Sequence, residues 1–450
     1  MHPHPAHKRS PLEMRQGCQI ASVQQLGLKN QRCNWRETAK SRARSNVGAR
    51  CTNYEAFLSQ DTPMTKSPDG RIRVMRIIAR MNVGGPAVQV SGLMRSFDQT
   101  KFEQVLVTGY CAEDESDYLE TVATDIQAIR IDGLGRSISV GGDLKAFIKI
   151  VKEIRTFKPD VIHTHTAKAG VIGRVASIIS RHPSIRIHTY HGHLLHGYFG
   201  TFKTGIVIFI ERTLGHYTTH LLAVGKQVMN DLLSAGIGGA KKFSVMPPGL
   251  HIDALPSRKD ACAELDLDPS KTYCAFIGRI TQIKRPDRFL DVVGQVKKSG
   301  SDVHFIVAGA GGLLDYCKER VTREALPVTF LGWREDIETV LAACDMVVLT
   351  SDNEGTPLSL IQAGMAHLPI VSTSVGSVRE IAINGQTGIL TDLSVNAIAD
   401  AVVTLGDEVA LRKKMGDAAH IYTMQRYSVA RLVKDHQDLY LQLFSDRAKS

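Results

Sequence analysis

The feature that most restricts this chain is an alternation that begins at Arg73 and runs almost to the end. Short β-branched apolar runs bounded by Gly, Pro or Asn are separated by segments of helical period. RVMRIIARM (73–81), EQVLVTG (103–109), PDVIHTH (159–165), IRIHTYH (185–191) and HLLAVG (220–225) are the runs of a first series. Between them LKAFIKIVKEIRTF (144–157) and AKAGVIGRVASIISR (167–181) read as helices. Strands that are apolar on both faces and joined through helices build a parallel, doubly wound sheet, since hairpins cannot link parallel neighbours. KFSVMPPGLHIDALPS (242–257) breaks the pattern and reads as a linker. A second series follows: YCAFIG (273–278), VHFIVAG (303–309), VTFLG (328–332), DMVVLTS (345–351), PIVSTSVG (369–376) and TGILTD (387–392). The expected fold is therefore α/β, with two doubly wound domains. In such sheets ligands bind beyond the carboxyl ends of the strands, so the site is expected in a cleft between the domains.

The boundaries follow. Residues 1–70 are expected to be a disordered basic extension, 71–247 the first domain and 248–425 the second. Residues 426–450 are expected to form a helix packing back on the first domain, with Leu432, Val433, His436, Leu439, Tyr440 and Leu443 on one face. The formal charge of +10 is concentrated: residues 1–50 hold ten Lys/Arg against Glu13 and Glu37. We read that segment as an unfolded tail, or as residues ahead of a true start at Met64 or Met75, and expect no nucleic-acid partner. No apolar run reaches the roughly 20 residues of a membrane helix, Ile206 to Ile210 being stopped by Glu211. The head lacks the apolar core of a signal peptide. Eight Cys without a CxxC pair read as reduced thiols, which suits a cytoplasmic protein.

In the second domain Arg279 and Lys284 share the loop after its first strand, ahead of Pro286 at a helix start. Two cations beside free helix N–H groups form an anion site; the alternative is two solvated loop cations. In SDNEGTPLSLIQAGMAHLPIV, Thr356 is placed to cap a helix with Pro357 at its first position, leaving the N–H groups of Leu358 and Ser359 free. Glu354 and Gln362 then bracket a polyhydroxylated ligand, unless they are a dipole partner and a core amide.

GRITQIKRP, VAGAGG, LGWREDI, SDNEGTPLSLIQAGMAHLPIVSTSVGSVREI and NGQTGIL, in that order and spacing, resemble the nucleotide-sugar half of the family 4 retaining glycosyltransferases. The likeness spans about residues 73–445 and is densest over 274–392. It implies the GT-B fold of two facing Rossmann-like domains. It also implies that Arg279 and Lys284 clamp a donor diphosphate, that Glu354 meets sugar hydroxyls, and that the backbone of Gly355, Thr356, Pro357 and Leu358 meets phosphate or sugar oxygens. Gly309, Gly311 and the Trp333–Asp336 loop would flank the base. Gln362 departs from the family's second Glu, which binds ribose, and Pro248 stands where Asn is common.

In the first domain six His (163, 165, 188, 191, 193 and 196) crowd 34 residues. Strand alternation and the lack of ligand spacing argue against a metal cluster. By the resemblance His191 is the active-site His, His165 and the Gly84-Gly85 loop line the cleft, and Lys168 meets an acceptor phosphate. HTHTAKAGVIGR and HTYHGHLLHGYF are similar to members that extend lipid-linked oligosaccharides for capsule, exopolysaccharide or O-antigen. Leu194, Leu195, Tyr198, Phe199 and Phe202 then rest on the inner face of the plasma membrane or pack in the core. Asp266-Leu267-Asp268 lies in a remote turn and is not read as a metal motif. The expectation is a metal-independent, retaining transfer from a nucleotide-diphosphate sugar with no cofactor. A nucleotide-sugar 2-epimerase and a non-catalytic nucleotide-sugar binder share this layout, and a dehydrogenase is excluded because NVGGPAVQ is not GxGxxG.

Overall fold

The structure, a computed structural model, describes residues 70–192 and 201–449. The expectations for the basic head and for Leu194, Leu195, Tyr198 and Phe199 fall outside those residues, as does the side chain of Phe202. The first lobe runs β1 (Ile72–Ile78), α1 (Gly85–Ser96), β2 (Phe102–Thr108), α2 (Tyr118–Thr121), β3 (Ala128–Arg130), α3 (Val140–Phe157) and β4 (Val161–His165). It continues through α4 (Ala167–Ile179), β5 (Ile185–Tyr190), α5 (Thr201–Tyr217), β6 (His220–Ala223), α6 (Lys226–Ser234) and β7 (Phe243–Val245). All pairs are parallel, in the order β3-β2-β1-β4-β5-β6-β7.

Successive β1 side chains go to opposite layers. Ile72 and Val74 join Leu93 and Phe97 of α1, while Met75 and Ile77 join Ala146, Ile150 and Ile154 of α3. The strand is thus buried on both faces, which is why its sequence is a run and not an alternation.

The second lobe holds α7 (Arg258–Glu264), β8 (Thr272–Ile277), α8 (Pro286–Lys298), β9 (Val303–Ala308), α9 (Leu314–Glu324), β10 (Val328–Gly332) and α10 (Ile337–Ala343). Then come β11 (Met346–Leu349), α11 (Leu358–Met365), β12 (Ile370–Thr373), α12 (Val378–Ile381), β13 (Gly388–Thr391) and α13 (Val395–Asp407). Its order is β10-β9-β8-β11-β12-β13, again parallel. The expected fold class, two doubly wound sheets with the site edge of each toward the other lobe, is what the chain adopts.

Helices α14 (Val409–Tyr427) and α15 (Val429–Lys449) close the chain. Tyr427 lies in the second lobe's core, whereas Leu432, Val433, Tyr440 and Phe444 complete the first lobe's core. The return crossing runs beside the outward one: Leu250 N donates to Tyr427 O at 2.7 Å and Val429 N to Leu250 O at 3.1 Å. Arg431 staples both by donating to the carbonyls of Pro247 and Pro248.

Two expectations need correction. The segment read as a linker begins as a strand, since Phe243–Val245 pairs with β6. Thr356 does not cap α11: that helix starts at Leu358 with Pro357 in the cap position, and the buried Thr356 Oγ1 has no hydrogen-bond partner among the described residues.

Candidate functional site

On the second lobe, the loops after β8 and β9 interlock. Gly278 N donates to Ala308 O at 3.0 Å and Ile280 N to Ala310 O at 2.9 Å. A Cβ on Gly309, whose φ is +155°, would lie 1.9 Å from Gly278 O, and one on Gly311 would lie 2.3 Å from Ile280 O. Only glycine lets these backbones pass so closely. This fixes Arg279, which is exposed and whose guanidinium has no ion pair or hydrogen bond among the described residues.

Lys284 is placed differently. Its Nζ donates to Glu354 Oε1 at 2.6 Å, and Ser351 Oγ donates to the same oxygen at 2.5 Å. Both partners are largely buried. The loop carrying Glu354 is held by a second set of charges that the sequence did not single out. Arg285 and Arg288 both donate to Asp352, Arg288 also donates to Thr350 O at 2.7 Å, and Thr350 Oγ1 returns to the carbonyls of Lys284 and Arg285. Partial burial pulls the Asp352 carboxyl upward, but the hydrogen bonds from Arg288 and Arg285 outweigh it and hold the group below its usual range. The signal available in advance was the Lys-Arg-Pro run ahead of a helix and an Asp two residues before Glu354.

Pro286 opens α8, as the sequence predicts. At α11 the N–H groups of Leu358 and Ser359 have no intrahelical carbonyl to meet. Gln362 lies one turn on and is half-buried; Trp333, just past β10, is exposed. The two lobes touch here. A Cβ on Gly85 would lie 3.5 Å from Leu358 Cδ1, and one on Gly355 would lie 3.7 Å from Gly192 Cα. Gly84 precedes α1 at its cap position. So the Gly84-Gly85 loop and the residue after His191 meet the 355–358 segment across the cleft.

Facing it, the histidines divide between the two faces of the sheet. His188 turns to one side, where it meets Thr164 Oγ1 at 2.9 Å. His163, His165 and His191 share the other, with His163 and His165 stacked at 4.2 Å and His165 Nδ1 3.0 Å from His191 Nε2. His193 and His196 lie outside the described residues. Among the described residues, no group of three or more His, Cys, Asp or Glu is arranged to hold a metal ion.

The ladder continues into α15, which the sequence did not reveal. Tyr440 OH accepts from Arg76 at 2.8 Å and so donates to His163 Nδ1 at 2.5 Å; His163 Nε2–H then donates to Thr189 Oγ1 at 2.7 Å. His436 stacks near His163, and its Nδ1 donates to Leu432 O. Burial pushes His191 down to about 4 and His436 to about 3, and drives His163 and His165 well below the usual imidazole range. All four rings are neutral at pH 7. Nε2 of His165 is buried without a partner. A bare lone pair there costs less than an orphaned N–H. The proton therefore sits on Nδ1 and is donated to His191, which leaves the His191 proton on its own Nδ1.

Lys168 is engaged within the first lobe. Its ammonium pairs with Asp143 at 2.7 Å and donates to the carbonyls of Gly133, at 2.7 Å, and Ser137. In this position it ties the loop before α3 to the first turn of α4.

Comparison with known proteins bears on this arrangement. Residues 83–254 match the family described as Glycosyltransferase Family 4, and residues 271–408 match Glycosyl transferases group 1. The chain is 25% identical over 362 residues to the UDP-Gal:alpha-D-GlcNAc-diphosphoundecaprenol alpha-1,3-galactosyltransferase of Escherichia coli, covering 78% of this chain and 92% of that protein. It is 21% identical to the capsular polysaccharide biosynthesis glycosyltransferase CapM of Staphylococcus aureus, covering 72% and 88%. The crystal structure of Anabaena HepE in complex with UDP superposes with a TM-score of 0.70 at 20% identity, over 82% of this chain and all of that one.

Proposed function

Because the chain belongs to the two-domain glycosyltransferases of family 4 and group 1, we propose that it moves a hexose from a nucleoside-diphosphate sugar to a lipid-linked saccharide in cell-surface polysaccharide synthesis. The observation that carries this reading is the meeting of a cationic loop with the His191 strand end: Arg279 and the Lys284–Glu354 pair on one lobe, Gly192 against Gly355 from the other. The Escherichia coli relative is named for a UDP-Gal donor and a diphosphoundecaprenol-linked acceptor, and the Anabaena neighbour was solved with UDP, so a UDP-hexose is the donor class.

As the bond from the anomeric carbon to the phosphate oxygen breaks, its electron pair goes to the diphosphate. Arg279, Lys284 and the N–H groups of Leu358 and Ser359 stabilise that charge where it grows. Glu354, released from Lys284, accepts from sugar hydroxyls, and Gln362 accepts one ribose hydroxyl through its amide oxygen. Gly309, Gly311 and Trp333 border the base. His191 donates its Nδ1–H to the donor sugar, with His165 fixing that tautomer. The acceptor hydroxyl attacks the same face that the diphosphate leaves and gives up its proton to a donor phosphate oxygen, so the configuration is retained. The cations are the protein's own, and no metal is needed. The transferase works in the cytoplasm against the inner face of the membrane.

The test is incubation of the purified chain with a panel of UDP-, GDP- and ADP-sugars and a diphosphate-lipid-linked saccharide. A new α-linked product from a UDP-sugar is expected. An epimerised donor without acceptor, or donor binding with no turnover on any acceptor, would overturn it.

A further inference from the structure

We propose that the outer face of helices α3, α4 and α5 is a membrane-docking surface, which seats the first lobe on the headgroup layer of an anionic bilayer. This rests on the reading of the chain as a membrane-working transferase for its sense, but its test does not use the reaction.

Helix α3 buries Ala146, Ile150, Val151 and Ile154 against the sheet. Beside that strip a second apolar strip faces solvent at intervals of four: Val140 is 88% exposed, Leu144 57% and Ile148 59%, with Ile138 just ahead at 84%. A surface helix ordinarily carries polar residues there. Further round the same helix come Lys145, Lys149 and Lys152, all exposed. Lys149 pairs with the exposed Asp132, while Lys145 and Lys152 have no ion pair among the described residues. An apolar strip rimmed by lysines suits acyl chains below and phosphate headgroups beside them.

A second observation extends the patch. The order β1-β4-β5-β6, with right-handed crossovers, puts α4 between α3 and α5 in one layer. The outward residues of α4, Val171, Val175, Ile178 and Ile179, are apolar and only partly covered. Its two cations are withdrawn, Lys168 onto Asp143 and Arg174 onto the buried Glu211 of α5 at 2.8 Å. On α5, Phe209 is 71% exposed. Three adjacent helices thus turn apolar side chains outward with positive charge at one margin, which matches a broad anionic lipid surface better than a narrow peptide. Lys168 ties the Ile138 loop to the helix that begins two residues after His165, so a docked surface stays in register with the cleft.

The experiment is co-flotation of the full chain with phosphatidylglycerol/phosphatidylethanolamine vesicles, and with phosphatidylcholine vesicles, at low and at about 0.5 M salt. The wild type is expected to float with the anionic vesicles. Val140→Asp/Leu144→Asp/Ile148→Asp should cut the bound fraction at least about tenfold. Lys145→Glu/Lys152→Glu should cut it at least about 25-fold on anionic vesicles only, since each near-surface lysine is worth about fivefold. Ile421→Asp, an exposed apolar position on α14, should leave it unchanged. Melting temperature and UDP binding report on folding, and a chain that floats but does not bind UDP would tell against the donor reading and not against this surface. Flotation of both multiple variants like the wild type would overturn the proposal by placing binding elsewhere, in the basic head for example. So would failure of the wild type to float, or a lipid-free dimer that the α3 variants turn into monomers.

Discussion

The ammonium of Lys284 lies 2.6 Å from the carboxylate of Glu354, across 70 residues of chain, with both side chains largely shielded from solvent. On the proposed reading, the cation for the leaving group and the carboxylate for the sugar hold each other until donor arrives. Replacing Lys284 by Ala strands a buried carboxylate and should lower stability by about 1–3 kcal/mol as well as turnover by 10²–10³-fold, roughly 3–4 kcal/mol. Urea melts beside initial rates check both. Full activity in the folded variant would remove Lys284 from the mechanism.

Arg279 has no such partner, so Arg279→Ala should cut turnover by about 10²–10³-fold with stability unchanged to within about 0.5 kcal/mol. On the proposed reading the charge comes from side chains, so EDTA should not slow the wild type. Inhibition reversed by Mg²⁺ would show that a metal shares the work.

In the proposed site Gln362 offers ribose a neutral oxygen where a carboxylate would bind more strongly. Gln362→Glu should lower the KM for donor by up to about tenfold, about 1 kcal/mol, with little change in kcat. An unchanged or higher KM would mean that residue 362 does not reach the ribose.

Glu380, at the end of the VGSVRE segment, reaches across to the first lobe. Its carboxylate accepts from the first two amides of α6, Lys226 N at 2.9 Å and Gln227 N at 3.1 Å, while its carbonyl accepts from the hydroxyls of Tyr422 and Tyr427. A carboxylate at a helix start satisfies orphan donors and the dipole together. Glu380→Ala should cost about 1–2 kcal/mol and loosen the lobes, read as a lower melting temperature and a larger radius of gyration in solution scattering. Identical scattering and melting would show the latch to be idle.

The buried histidines make stability depend on pH. Their folded values lie below the ordinary 6.5, about 4 for His191 and about 3 for His436. Between roughly pH 6.5 and 4 the unfolded chain therefore binds more protons, and stability is complete above that window and lost as pH falls through it. Going from pH 7 to 5 should cost about 1–2 kcal/mol for each ring, followed by urea denaturation at both values. His436→Asn should reduce that slope; an unchanged slope would mean that His436 is not desolvated.

Much of this protein is written locally. The apolar runs at 273–278 and 303–309 and Pro286 at its helix start encode backbone states and buried faces that neighbours in sequence suffice to set, whereas the glycines at 309 and 311 are demanded by the loop after β8 that packs against them. Strands β3 and β7 escaped because three residues are too few to show a period, and Val245 runs straight into Met246-Pro247-Pro248. Partnerships are another matter. Only packing could decide that Tyr440 would reach His163 across 277 residues, that Lys168 would spend its charge on Asp143 and two carbonyls, or that Glu354 would hold Lys284. A residue's type limits which bonds it can make; which of them it makes depends on what the fold carries within about 3 Å of it.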